Sequence, residues 1–382
     1  MKIPYFIRTV LLLSILFATI QTKAQRTDTR DEDIINLLIK KNVLSQQEAD
    51  SLRADRAIKE QAKLEKDKEN QHGITIGSRA LQISGLIQTR YQGFEQTGVN
   101  NAFDLHRARL DVKGDINDNW NYEVYTEFAG TTKLLDAYTS YKIADALKFT
   151  AGQFKVPFSL ESLVSDSQLE FIDRSQVVEA LAGRSKDVIG NQNGRDIGLQ
   201  AGGSFVKLND HYLFDYTFGV FNGAGYDVTT DNNNHKDIAG RFTVHPLKNL
   251  AISADFYNGQ GNYGSPAKNQ ARKRGGFDVR YVTGGLSLTA EYDKGTDGII
   301  RKDGWYAQAA YFVVPKKLQL AARYDTFDPN KIIATDRANW YEGGINYFFN
   351  AWAKLSVDYS DRHEEVTQIK NNLLSVQLQL TF

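Results

Sequence analysis

The sequence predicts an all-β fold: a transmembrane antiparallel β-barrel of about sixteen strands, preceded by a signal peptide and a short periplasmic helical or coiled-coil segment. Three observations predict it. The first 25 residues join a basic start to a short apolar run; from residue 72 to the last residue, apolar and polar side chains alternate; and past residue 25 no apolar run approaches the ~20 residues of a spanning helix. Mean hydropathy is −0.44 and aromatic content 12%, with 19 Tyr and 21 Phe. A barrel tolerates a low mean because only every second residue faces lipid. The 46 basic and 46 acidic residues balance, which gives no electrostatic reason for a nucleic-acid partner. With no cysteine, disulfide scaffolds, Cys-based zinc sites and Cys nucleophiles are excluded.

The elements follow in order. Residues 1–24 read as a signal peptide: Lys2 and Arg8 precede the apolar run Val10–Ala18, and Thr22-Lys23-Ala24 places small residues at a cleavage site. An uncleaved anchor is disfavoured by the shortness of the run. Residues 25–71 form a helical or coiled-coil leader, with Ile34, Ile35, Leu38 and Ile39 at helical spacing and a capping box at Ser45 and Glu48. Two readings stay open: a hairpin or coiled coil that trimerises or meets periplasmic partners, and an exposed spacer.

Residues 72–382 form the barrel. In Trp120–Phe128 the even positions Trp120, Tyr122, Val124, Thr126 and Phe128 suit lipid, while Asn121, Glu123, Tyr125 and Glu127 suit water. The pattern recurs through Tyr212–Val220 and Leu318–Tyr324 and closes at Leu374–Phe382. Segments centre near residues 86, 109, 124, 139, 150, 200, 216, 241, 254, 279, 289, 308, 322, 345, 357 and 376. Tight turns at 117–119, 143–145, 207–210, 246–249, 315–316 and 350 suit a periplasmic rim, and longer loops at 95–101, 155–195, 223–235, 259–272, 294–302, 328–338 and 362–370 face outward. Aromatic residues such as Trp120, Trp305, Tyr311 and Trp352 fall near strand ends, as an interfacial girdle requires. A soluble β-sandwich is the rival, but it rarely runs 300 residues without a composition break. In lipid an unpaired backbone group costs several kcal/mol, so each strand needs two neighbours. The ending Leu378-Gln379-Leu380-Thr381-Phe382 resembles the signal by which the barrel-assembly machinery recognises its substrates, with Phe382 as the contact.

The fifth strand runs into a loop, about 155–195, too long to be a passive connection. Its helical stretches, 165–172 and 175–182, favour an ordered loop that folds into the pore and narrows it. Here the chain resembles a known family, the phosphate-selective porins O and P of Bacteroidetes-type Gram-negative bacteria. The resemblance is carried by Gly152-Gln153-Phe154-Lys155-Val156-Pro157-Phe158-Ser159-Leu160-Glu161, by Asp173-Arg174-Ser175 and by Gly194-Arg195-Asp196-Ile197-Gly198. It implies a trimeric channel in the cell outer membrane, constricted by that loop and passing small hydrophilic solutes by diffusion, with phosphate or polyphosphate among the anions.

Alternation directs Arg90, Arg107, Arg109, Lys113, Arg241, Arg280, Arg323 and Lys354 inward, and the loop supplies Lys155, Arg174, Arg184, Lys186 and Arg195 as constriction candidates. Arginine grips phosphate through a fixed fork of donors. The same alternation sends acids inward, among them Asp111, Glu123, Glu127, Asp136, Asp255, Asp278, Glu291, Asp325 and Asp358. These charges either line an anion path or wet a channel wall and pair across strands, and loop cations either face solute or pair with Glu161, Asp166, Glu170 and Asp173. A non-selective general porin stays open. So do two readings of other kinds: a structural or adhesive barrel, and a hydrolase built on a serine with His106 or His211. No nucleophile elbow, phosphate loop, dinucleotide fingerprint or His metal spacing occurs, so the expectation is a channel without catalytic residues, metal or cofactor.

Overall fold

The computed structural model describes residues 81–382 except 229 and 367, together with Leu37, Lys40 and Lys41. The expected signal peptide lies outside the described residues, as does nearly all of the leader. Within the leader, Lys41 N–H donates to Leu37 O at 3.0 Å, one α-helical bond.

Sixteen strands close into one antiparallel barrel: β1 (Leu81–Phe94), β2 (Ala102–Asp115), β3 (Trp120–Glu127), β4 (Lys133–Ala144), β5 (Leu147–Lys155), β6 (Arg195–Lys207), β7 (Tyr212–Phe221), β8 (Asp237–Leu247), β9 (Leu250–Tyr263), β10 (Lys268–Thr283), β11 (Leu286–Asp297), β12 (Ile300–Val314), β13 (Leu318–Asp328), β14 (Ala338–Phe348), β15 (Ala353–Glu364) and β16 (Leu373–Thr381). Each pairs with its sequence neighbours, and β1 meets β16 in the register Leu86↔Thr381 to Phe94↔Leu373. Gly85 N donates to Phe382 O at 2.7 Å and Phe382 N to Gly85 O at 3.1 Å, so the terminal residue helps close the seam. Closure leaves no strand edge without a partner, which hydrocarbon demands. Every expected strand centre lies within an observed strand.

The alternation sorts as the chemistry requires. Trp120, Val124, Phe128, Leu378 and Leu380 are exposed on the outer wall, while Glu127, Gln377 and Gln379 are buried inside. One rim carries tight turns. Asn117 Oδ1 accepts from Asn119 N and Trp120 N, and Asn350 Oδ1 from Trp352 N and Ala353 N, each a side chain replacing a backbone partner in a turn. The β10–β11 turn, Gly284-Gly285 with φ +53° and +82°, has the two positive φ values of a two-residue hairpin.

Several expectations need correction. The outward loops expected at 259–272 and 294–302 shrink to 264–267 and 298–299, because β9–β12 run on as a polar extension of the sheet whose glycines masked the alternation. The helix expected over 165–172 is a 3-10 turn at Asp166–Gln168, with α1 (Leu160–Leu163) just before it; α2 (Gln176–Leu181) falls within the expected second stretch. The cause is capping: the hydroxyls of Ser159 and Ser175 accept from Ser162 N and Val178 N and start short helices there. In β2, a register shift opposite Gln88 and Thr89 inserts His106 as a bulge. Beyond it the phase changes, so Asp104 lies beside Arg90, and Phe103 is exposed.

Candidate functional site: the lumen and its constriction loop

The chain leaves the wall at Lys155 and returns at Arg195, residues paired in the β5–β6 ladder, so the loop between them starts and ends at one point of the wall. It turns inward. Helix α2 packs against β11, β12 and β13, with Val177, Val178 and Leu181 fully buried. Their partners are inward-facing wall residues: Phe154, Phe221, Tyr257, Tyr306 and Phe327 form one cluster with Phe158, Val177, Val178, Ala180, Leu181 and Ala182. Burying each Val or Leu side chain is worth about 1.5–3 kcal/mol. The barrel's apolar core is therefore the contact between its loop and residues of its own wall from β5 to β13.

A buried loop must satisfy its backbone. Wall carboxylates do this. Asp255 accepts from Ser159 N at 3.0 Å, Glu291 from Leu160 N at 2.8 Å and Glu161 N at 3.0 Å, Asp358 from Ile172 N at 2.5 Å and Asp325 from Gln176 N at 2.7 Å. The loop's carbonyls receive wall donors: Asn346 reaches Glu170 O at 2.7 Å and Lys354 reaches Leu169 O at 2.9 Å. Many of the inward acids are thus covered by the loop and occupied in holding it.

Ion pairs complete the attachment. Asp166 meets Arg107 at 3.3 Å and also bonds Arg109 and Arg174; Asp173 meets Arg90 at 2.9 Å, Glu161 meets Arg323 at 3.1 Å, and Asp187 meets Arg272 at 2.7 Å. Arg323 also pairs with Glu342, and Arg109 with Glu127 at 2.6 Å. Arg195 pairs with Asp136 at 2.7 Å, Arg241 with Asp255 and Asp278 at 2.5 and 2.7 Å, and Arg90 with Asp104. Lys113 lies 3.8 Å from Asp111.

Among the candidates, four cations lack a carboxylate within 4.0 Å among the described residues. Lys155 Nζ donates to Leu163 O and Val164 O, both at 3.0 Å, and Arg184 donates to Ser162 Oγ and O at 3.1 and 2.9 Å. Lys186 stands 5.0 Å from the centre of the Trp340 ring, which Arg362 also approaches at 4.1 Å. Arg280 faces inward with no ion pair.

A cavity of about 310 Å³ remains beside the loop root, lined by Arg109, Lys148, Lys155 and Arg195, by Glu123, Asp136 and Asp166, and by Tyr125 and Tyr138. Arg109 and Arg195 both lie over Tyr125, at 5.5 and 5.9 Å. Around Asp166 gather Arg107, Arg109, Arg174, Arg184, Arg195 and Lys155, six cations against Asp166, Glu127 and Asp136. Across the loop the balance reverses: Asp255, Asp278, Glu291 and Asp293 lie together, and Arg241 pairs with the first two of them. Positive charge stands at the open side and negative charge lies under the loop.

The sequence reading missed Arg272, Arg274, Lys148, Trp340 and Arg362. Arg272 sat at the end of a stretch taken for a loop, 259–272, and Arg274 just beyond it; alternation of Ala271 and Lys273 against Arg272 and Arg274 was the available signal. Of the histidines weighed for hydrolysis, His106 bonds Gln377 and Arg107, and His211 bonds Asp210 and His245 O; these partners include no serine.

A closed sixteen-stranded barrel with an inward loop, tight turns on one rim and an aromatic outer surface is an outer-membrane porin of the Gram-negative type, a channel. Residues 82–382 match the model of the family described as phosphate-selective porin O and P, and the chain belongs to that family. Solved structures share the fold at low identity. The anion-selective porin from Comamonas acidovorans is 14% identical, with TM-score 0.60 over 80% of this chain and 100% of that one. In-vitro folded OmpT of Vibrio cholerae in its trimer form is 15% identical, with TM-score 0.57 over 79% and 99%; the channel DcaP of Acinetobacter baumannii is 13% identical, with TM-score 0.55 over 81% and 99%. A search of curated proteins found no match to the sequence.

Proposed function

We propose that this porin admits small hydrophilic anions, inorganic phosphate among them, by passive diffusion through the gap between the loop root and strands β2–β6. The observation that carries the reading is the lining of that gap: Arg109, Lys148, Lys155 and Arg195 border it with Glu123, Asp136 and Asp166, while Asp255, Glu291, Asp325 and Asp358 on β9, β11, β13 and β15 accept from the loop backbone. Inside a narrow channel with low-dielectric walls, an excess of one sign raises the local concentration of counter-ions. The ammonium of Lys155 is bonded only to carbonyl oxygens and has no carboxylate within 4.0 Å among the described residues, which leaves it a cation of this lining without an ion-pair partner close by.

A second reading, a general porin of weak selectivity, is favoured by Arg90, Arg107, Arg109, Arg174, Arg195, Arg241 and Arg323, which already have carboxylate partners. Reversal potentials across a salt gradient in planar bilayers separate the two. Anion preference with conductance block by added phosphate supports the first reading, and cation preference without block overturns it. The family and the trimeric neighbours support a homotrimer surrounded by outer-membrane lipid. The seam at Phe382 supports the C-terminal strand as the segment handed to the assembly machinery, and residues 1–24 and 25–71 keep their proposed roles as signal peptide and periplasmic leader.

A further inference from the structure

Four carboxylates lie together on the wall behind the loop root, and three are accounted for. Asp255 accepts from Ser159 N and pairs with Arg241; Asp278 pairs with Arg241; Glu291 accepts from Leu160 N, Glu161 N and the Tyr306 hydroxyl at 2.8 Å. Asp293 is not. Its side chain is 0% exposed and neither oxygen has a hydrogen-bond donor among the described residues; its carboxylate instead meets that of Glu291, two residues away on the same face of β11. A buried ionised carboxylate without a partner costs several kcal/mol, and more beside other acids.

The register shows where compensation would sit. Asp255, Gly276 and Asp293 form one row across β9, β10 and β11, Gly276 pairing with both aspartates. A Cβ added at Gly276 would overlap Asp255 Oδ1 and Asp293 Oδ1 together, so the two oxygens converge over the glycine from opposite sides. Asp255 Oδ1 also lacks a donor among the described residues. The glycine leaves open the point toward which two unpartnered carboxylate oxygens turn.

We infer that Asp255 and Asp293 bind a divalent cation of the calcium or magnesium class over Gly276. Hard cations take carboxylate oxygens, and magnesium in particular is held by one or two carboxylates with water completing its shell. Two protein carboxylates are what this row supplies: among the described residues no group of three His, Cys, Asp or Glu side chains is arranged for a metal. The ion would offset the charge excess of Asp255, Asp278, Glu291 and Asp293 over Arg241. It would also brace the loop root, since Asp255 and Glu291 hold Ser159, Leu160 and Glu161 by their backbone.

The test uses the full chain, folded in detergent and stripped with EDTA, and does not depend on which solute the channel passes. Calcium chloride, and magnesium chloride separately, should raise its melting temperature progressively with free ion, as a ligand of the folded state does. Asp293→Asn should leave the barrel folded, stabilise it in EDTA, and weaken the ion by at least about tenfold, since even groups behind metal ligands carry that much. Calorimetric titration of the ion into both proteins reads the affinity directly. A wild-type melting temperature indifferent to both ions, meaning that the carboxylates share a proton instead, overturns the inference. So does Asp293→Asn binding the ion as tightly as wild type.

Discussion

The loop-covered wall, β9–β15, and the open wall, β2–β6, are built from the same alternating pattern yet have opposite interiors. On the covered side the inward residues include Tyr257, Tyr306 and Phe327, which pack on α2, and Asp255, Glu291, Asp325 and Asp358, which bond the loop backbone. On the open side they are Arg109, Glu123, Tyr125, Lys148 and Arg195 around a cavity. A strand fixes only which side chains face inward. Whether those side chains become a dry core or a wet channel depends on what the loop covers.

The comparison breaks most severely if the loop is removed. Deleting residues 160–190 uncovers the β9–β15 wall and should raise single-channel conductance several-fold; unchanged conductance would mean that the loop is not the constriction. Next in size is Arg323→Ala, which strips Glu161 and Glu342 of a buried partner. Breaking such a pair costs roughly 3–5 kcal/mol, so thermal melting should fall and current through open channels should become noisier as the loop loosens. Leu181→Ala removes a fully buried side chain from the same contact and should cost about 2–5 kcal/mol by denaturant titration, with the anion-to-cation permeability ratio retained. The smallest effect sharpens the comparison from the open side. Lys155→Gln keeps a donor for Leu163 O or Val164 O but removes the charge, and should lower the permeability ratio, read from reversal potentials, while stability changes little. An effect of equal size from Lys113→Gln, on β2 of the same open wall and beside Asp111, would show that any cation of that wall serves and that the loop root gives Lys155 no special place.

Much of this was legible in the chain. Trp120–Phe128 and Leu374–Phe382 announce their lipid faces because hydrocarbon and water lie on opposite sides of every strand, a constraint each residue meets locally. Asn117 and Asn350 mark turns for a local reason too, since each side chain bonds backbone two or three residues on. The inward direction of Arg107, Arg241 and Arg323 follows from the same alternation. Their occupation did not: Arg323 finds Glu161 across 162 positions of sequence, and Arg272 finds Asp187 across 85. The bulge at His106 and the polar extensions of β9–β12 were obscured because alternation there is shifted by one residue or diluted by glycine.

By itself, then, the sequence determined the barrel, its strand count, its lipid face and the presence of one oversized loop, since each arises from periodicity or from contacts a few residues apart. Tertiary structure alone decided which wall the loop covers, which cations stay uncompensated and where four acids meet behind its root. Those outcomes depend on side chains brought together from strands far apart in the chain, and their pairing energy exists only once the barrel has closed.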